Sequence, residues 1–246
     1  MEEIIQQKLK TIPCGKVLDV ATGKGDALSW LMDSLRKPNG AHNHTLGVGI
    51  DRNTRVLKKA HVNPAEANGA NAHFLAMDAA NLGFQDASFE VVAIVNSLHH
   101  LTDLHPALAE MKRVLKPAGH FIICEMYRDV QTPAQRMHVD LHHWWAAVDT
   151  ALGLPHHKTF TRRAILDLAQ GLALKELASY DVADTELNPL DEDLHAELNL
   201  AINLYLQRAK ALPTYAQLAQ RAEVLRERLK ETGFQWAPQL VILGQK

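Results

Sequence analysis

Cysteine is nearly absent from this sequence: 246 residues hold two, Cys14 and Cys124. They stand far apart and neither belongs to a C-x-x-C pair, so a disulfide framework is excluded and both read as small buried residues. No apolar run approaches the roughly 18–20 residues of a membrane span. Nor is there a block of one charge sign. Lys and Arg number 26 against 28 Asp and Glu, a formal charge of −2. No polyanion-binding surface is advertised, and nucleic acid is not an expected partner. The start, Met1-Glu2-Glu3-Ile4-Ile5, is acidic where a signal peptide is basic, and no apolar stretch follows it. A soluble, cytoplasmic protein is expected.

What is present reads as globular: 47% hydrophobic residues with 13 Gly and 10 Pro. At about 100–200 residues per domain, this is one large domain or one domain with a sizeable insertion. The chain alternates short β-branched runs with helical segments. Strands are expected at Lys16–Val20, Thr45–Ile50, His73–Met77, Phe89–Val95 and Phe121–Cys124. Helices are expected after the loop Ala21–Asp26 to about Lys37, over Thr54–Val62 and over Ala107–Leu115. Such a βαβαβ series predicts a doubly wound α/β sheet. Beyond Glu125 come a long helix, Thr132–Leu152, a short one, Arg162–Gln170, and a strand, Leu172–Tyr180. Two further helices follow. The first opens at Asn188-Pro189 with an apolar stripe of Leu190, Leu194, Leu198, Ala201, Tyr205 and Leu212. The second opens with Thr214 and Gln217 as a capping box and ends at Gly233. A last strand covers Leu240–Leu243. The expected organisation is a core over 1–126, a helical insertion over 127–171, and completion of a seven-stranded, mostly parallel sheet over 172–246. The last part carries a helical hairpin over 188–232, so insertions follow the fifth and sixth strands.

In an open α/β sheet, ligands sit beyond the C-terminal ends of the strands. The first strand ends in Asp19-Val20-Ala21-Thr22-Gly23-Lys24-Gly25, the second in Gly49-Ile50-Asp51, the third in Met77-Asp78-Ala79 and the fourth in Asn96-Ser97-Leu98-His99-His100. Gly23 and Gly25 permit a tight turn and close backbone approach to a ligand. Asp19, Asp51 and Asp78 place a carboxylate at three successive strand ends. A nicotinamide dinucleotide would set its pyrophosphate against the acidic first loop, and Leu28 stands where its fingerprint needs a third Gly. S-adenosylmethionine (SAM) carries no phosphate but has an ammonium and a sulfonium. Asp19 suits that cationic end, Asp51 can accept from both ribose hydroxyls, and Asp78 can accept from the adenine amino group. The Ala79 N–H would reach a ring nitrogen.

These residues carry a resemblance. Val17–Asp26 with its D-x-A-x-G-x-G core, the Asp after the second strand, Met77-Asp78-Ala79, and Arg113-Val114-Leu115-Lys116-Pro117-Ala118-Gly119 resemble a class I SAM-dependent methyltransferase. Within that superfamily the chain is most similar to the type 11 group, which includes the quinone-biosynthesis C-methyltransferases. The match covers about residues 14–126. It implies a Rossmann-like methyltransferase fold, SAM as cofactor, and a cofactor site of Asp19, Ala21, Gly23, Gly25, Asp51, Arg52, Asp78, Ala79 and Asn96. The family's loop often has Gly where this chain has Ala21.

Methyl transfer from SAM is an in-line displacement that chiefly requires alignment and exclusion of water. A base is needed only where the acceptor must lose a proton. His99 and His100 stand beside the expected methyl group as base or positioning groups. The alternative is that they cap or pack the loop. The fourth strand does not end in N-P-P-Y, which disfavours amino methylation of DNA bases. On the long helix, His138, His142 and Asp149 fall within about 40° of one another, with Trp145 beside them. Leu141, Val148 and Leu152 form the neighbouring stripe. The face reads as a polar wall of an acceptor pocket, as internally bonded side chains, or as a metal site by i,i+4 spacing. His156-His157 would strengthen the metal reading only if their loop folds back. No metal is included in the expected site. Tyr127-Arg128-Asp129 follow the fifth strand and could face the same cleft. The expected catalytic set is His99, His100, His142 and Tyr127. The expected function is methyl transfer to a small-molecule acceptor, with the hairpin covering the acceptor mouth or forming a homodimer contact. A catalytically silent SAM- or nucleoside-binding module acting through its helical insertion is the rival, and an NAD(P) oxidoreductase a weaker one.

Overall fold

The run Val17-Leu18-Asp19-Val20 is built to be covered on both faces, and in the computed structural model it is the centre of β1 (Lys16–Val20), buried from Val17 onward. The structure describes residues 7–12, 15–35, 45–60, 71–184 and 186–246. Cys14, the end of the helix expected to reach Lys37, and Val62 lie outside them.

On one side of β1 lie β2 (Leu46–Asp51) and then β3 (Asn71–Ala76). On the other lie β4 (Phe89–Val95) and β5 (Leu115–Met126), followed by β7 (Gln239–Gln245) and β6 (Lys175–Val182). The order is β3-β2-β1-β4-β5-β7-β6, and β1 pairs in parallel with both β2 and β4, as do β2 with β3 and β4 with β5. The doubly wound, seven-stranded sheet is therefore present. Its direction of winding reverses between β1 and β4, which opens a crevice at their C-terminal ends. Between strands stand α1 (Asp26–Ser34), α2 (Thr54–Leu57) and α3 (Leu104–Val114). Helices α4 (Pro133–Ala151) and α5 (Arg162–Gly171) follow β5, and α6 (Glu192–Ala209) and α7 (Tyr215–Thr232) follow β6.

The chain forms two compact units. One comprises Met1–Glu125, Leu166–Val182 and Leu240–Lys246, the other Met126–Ile165 and Ala183–Gln239. In the first, Val17, Val91, Ala93 and Ile122 of the sheet pack with Leu28, Leu31 and Met32 of α1. Arg113 staples this unit: its guanidinium donates to the Leu82 and Phe84 carbonyls and to Glu110 and Asp86. In the second, Met137, Leu141, Trp144 and Val148 of α4 pack against Leu198, Ile202 and Ala209 of α6 and Leu218, Ala222 and Leu225 of α7. The Trp144 indole N–H donates to the Leu218 carbonyl at 2.9 Å. The apolar stripes of the hairpin thus face α4.

Four local expectations are corrected. The fifth strand starts at Leu115, not Phe121, because a bulge absorbs the Pro117–Gly119 break. Phe89 pairs with Leu115 but Val91 with His120, Ala118 takes φ 58°, and Lys246 pairs its backbone with Ala118 and Gly119. Helix α6 is capped by Asp191, whose side chain accepts from the Leu194 N–H at 2.8 Å. Asn188 instead closes the turn before it, accepting from Leu190 N–H. Of the expected stripe, Leu198 is buried and Leu194, Tyr205 and Leu212 pack against the same cluster, joined by Ile202, while Leu190, ahead of the helix, is 57% exposed. Thr214 caps α7 by position alone, with no side-chain bond, whereas Thr132 and Gln135 make a complete capping box on α4. At the far end of α7 the expected Gly233 is found at φ 69°, and a Cβ there would strike the Pro189 carbonyl.

Candidate functional site

The strand ends of the first unit gather the residues that the sequence singled out. Asp19 closes β1 and is almost wholly buried. Its Oδ2 accepts from the Thr22 hydroxyl at 2.6 Å, while its Oδ1, also buried, has no partner among the described residues. Burial pushes the carboxyl up to about 7; the Thr22 bond opposes the shift and the nearby Asp51 adds to it. A buried carboxyl oxygen without a donor is costly.

The loop after β1 has a backbone few side chains tolerate. Ala21, Gly23 and Gly25 all take positive φ, at 57°, 58° and 93°. The left-handed value at Ala21 is the physical reason Gly is common at this place. The Ser97 hydroxyl donates to the Ala21 carbonyl at 3.2 Å, tying this loop to the end of β4. The Cα of Gly23 faces open space, and its N–H donates to Asp51 Oδ2 at 3.0 Å. Asp51 Oδ1 accepts from the Asn53 N–H at 2.7 Å, so two backbone donors fix the carboxylate at the end of β2. Arg52 turns aside to donate to the Thr102 hydroxyl. Asp78 is exposed and accepts from the Ala80 N–H at 2.9 Å, with Ala79 half-buried between them. Asn96 stands exposed at φ 47°, its N–H donating to the Cys124 carbonyl.

His99 and His100 lie on a 3-10 turn, Leu98–His100, directly after this strand end. Their rings are 4.3 Å apart. His99 is buried with its Nδ1 3.0 Å from Glu125 Oε1, and Glu125 Oε2 accepts from the Leu98 N–H at 2.8 Å. Glu125 is completely buried at the end of β5. The sequence reading passed over it, although the rule that found the three aspartates, a carboxylate at a strand's C-terminal end, applies to it equally.

The remaining candidates belong to the second unit. Tyr127 is buried, with its backbone pairing to Phe160 and Pro238. Arg128 donates to the Thr159 carbonyl, and Asp129 accepts from the Arg162 N–H. His138 accepts from the Ala237 N–H at 2.9 Å and packs against Phe234 and Trp236. Burial pushes its pKa down to about 4, so it is neutral at pH 7. Asp149 accepts from His156 Nδ1 at 2.8 Å and from Arg208 at 2.6 Å. His138 and Asp149 thus each hold a hydrogen-bond partner within the unit, and the His138 ring lies 6.3 Å from that of His142.

The family described as "Methyltransferase domain" matches residues 14–179. The ubiquinone/menaquinone biosynthesis C-methyltransferase UbiE of Burkholderia mallei is 39% identical over 119 residues, 46% of this chain and 44% of that protein. The chain thus spans less than half the length of the curated relatives it matches. Among solved structures, the [4+2]-cyclase SpnF superposes with a TM-score of 0.63 at 17% identity, covering 99% of this chain and 80% of that one. A SAM dependent methyltransferase from Archaeoglobus fulgidus gives a TM-score of 0.53 at 13% identity, covering 100% and 95%. These two likenesses are of fold.

Proposed function

Because the chain belongs to the methyltransferase-domain family, we propose that it transfers a methyl group from SAM to a small-molecule acceptor by in-line displacement. The observation that carries this reading is the Asp19 carboxyl, buried, half-bonded and raised toward neutrality beside a glycine loop. A cationic ammonium supplies what that oxygen lacks. Asp51, held by two backbone N–H groups, would accept from the ribose hydroxyls, and Asp78 with Ala79 would meet the adenine. Gly23 leaves open space for a ligand against the backbone. When bound, SAM supplies the electrophilic methyl carbon.

The chain's own contribution is to align the acceptor and, where the acceptor is acidic, to take its proton. The pairing of His99 Nδ1 with Glu125 favours the tautomer in which Nε2 is basic. Glu125 acts here as a positioning residue, and His99 or His100 as the proton acceptor. His142 and Tyr127 remain acceptor-side proposals. The likeness to a quinone-biosynthesis C-methyltransferase favours a weakly acidic ring compound as acceptor, methylated on carbon. The test is turnover of methyl-labelled SAM against a panel of phenolic, quinol and other small acceptors, with product mass read out. A mass gain of one methyl group on a panel member supports the reading. A second reading, a SAM-binding chain that transfers no methyl, draws on the likeness to a [4+2]-cyclase. It would show SAM binding with product formed and no label transferred.

A further inference from the structure

The segment after α4 folds back onto that helix. His156 is buried, and its ring lies 4.8 Å, centroid to centroid, from that of His142 on α4. The two side chains offer ligand nitrogens within 4.8 Å of one another. Nitrogens across a tetrahedral zinc, with Zn–N of about 2.0–2.1 Å, are about 3.4 Å apart, so a modest turn of the half-buried His142 ring brings the pair to that spacing. Behind His156, the Asp149 carboxylate accepts a hydrogen bond from Nδ1 at 2.8 Å. Arg208 donates to the other oxygen of this carboxylate at 2.6 Å. With Nδ1 as donor, Nε2 is the nitrogen with a lone pair to offer. A carboxylate that fixes the tautomer of a ligating imidazole is the recurring outer shell of histidine–metal sites.

We propose that His142 and His156 form a binding site for a divalent transition metal of the zinc type, with Asp149 orienting His156 from the outer shell. Imidazole ligands select such ions over magnesium or calcium. Two protein ligands leave coordination positions for water or for an oxygen of a bound small molecule. Neighbouring side chains are committed elsewhere: His143 Nε2 accepts from the Thr159 N–H, and His138 from that of Ala237.

The site does not rest on methyl transfer, and its test uses neither SAM nor acceptor. The full chain, stripped with chelator, is titrated with Zn2+ alone and followed by calorimetry, and with Co2+ followed by visible absorption. One saturable equivalent per chain is expected, lost in both His142→Ala and His156→Ala. Asp149→Asn should weaken it about 10–100-fold, as outer-shell changes do. Far-UV circular dichroism checks folding of each variant. Should His156→Ala fail to fold, His142→Ala at the half-exposed position carries the same test. No saturable uptake by the parent chain, or unchanged uptake in either folded histidine variant, overturns the proposal.

Discussion

Glu125 and His99, on neighbouring strand ends, form a fully buried pair, with Oε1 of the acid 3.0 Å from Nδ1 of the imidazole. The second oxygen of Glu125 holds the Leu98 N–H, so one carboxylate fixes both the turn and the ring it carries. Glu125→Gln keeps an acceptor for Leu98 but removes the charge behind His99. Turnover at saturating SAM should fall about 10²-fold, the scale of a general base, while SAM affinity stays within a few-fold. Steady-state kinetics beside calorimetry separates the two. A parallel loss of SAM binding would instead make Glu125 a structural post only.

Asp51→Ala removes a charged acceptor from the proposed ribose contact. A loss of about 1.5–3 kcal/mol in SAM binding is expected, roughly 10–150-fold in Kd. Calorimetry with SAM and with its demethylated product should agree on this, and unaltered affinity would displace Asp51 from the cofactor site.

Asp19 makes the chain sensitive to pH. Its folded carboxyl is raised from 3.8 to about 7, chiefly by burial. The stability it contributes is complete below about pH 4 and is lost as pH rises through about 7. Between pH 5 and 8 the ligand-free protein should therefore lose stability relative to Asp19→Asn. SAM, bringing a cation to the ionised acid, should raise the melting temperature more at pH 8 than at pH 6, and that difference should vanish in Asp19→Asn. Thermal melts of both chains across this range are the check.

Ala21 holds φ 57° in the first loop. An L side chain pays for that conformation, so Ala21→Gly should stabilise the protein by up to about 1 kcal/mol without a new contact. Urea denaturation reads it. A destabilised variant would show that the Ala21 methyl packs where the backbone argument leaves it idle.

The hairpin holds two leucine-sized positions of opposite burial. Ile202, fully buried against α4 and α7, should cost about 2–4 kcal/mol as Ile202→Ala. Leu190→Ala, at a 57% exposed site, should stay within about 0.5 kcal/mol. The reverse ranking would place Leu190, not Ile202, in the packed face of the hairpin.

The parts legible in the sequence are those with local causes. The apolar runs of β1 and β4 stand where their alternation with helices places them, and β4 ends at Val95 as expected. The Asp19, Asp51 and Asp78 positions needed only the rule that ligands meet parallel strands at their C-terminal ends. Where local signals competed, the reading slipped. Pro117 and Gly119 looked like a break because a bulge and a strand end share the same residues. Asn188-Pro189 looked like a cap because Asx turns and helix caps use the same side chains.

The sequence by itself determined the sheet, the glycine loop and the strand-end carboxylates, since periodicity of two or 3.6 residues and steric limits on φ act within a few positions. The tertiary structure decided which side chains meet. Glu125 reaches His99 only through the register that sets Val95 against Cys124. His142 and Asp149 share a helix face, yet His138 left that set for the Ala237 N–H, and His156 joined it from a loop. Such pairings depend on satisfying buried donors and acceptors across long loops, and no local pattern carries that accounting.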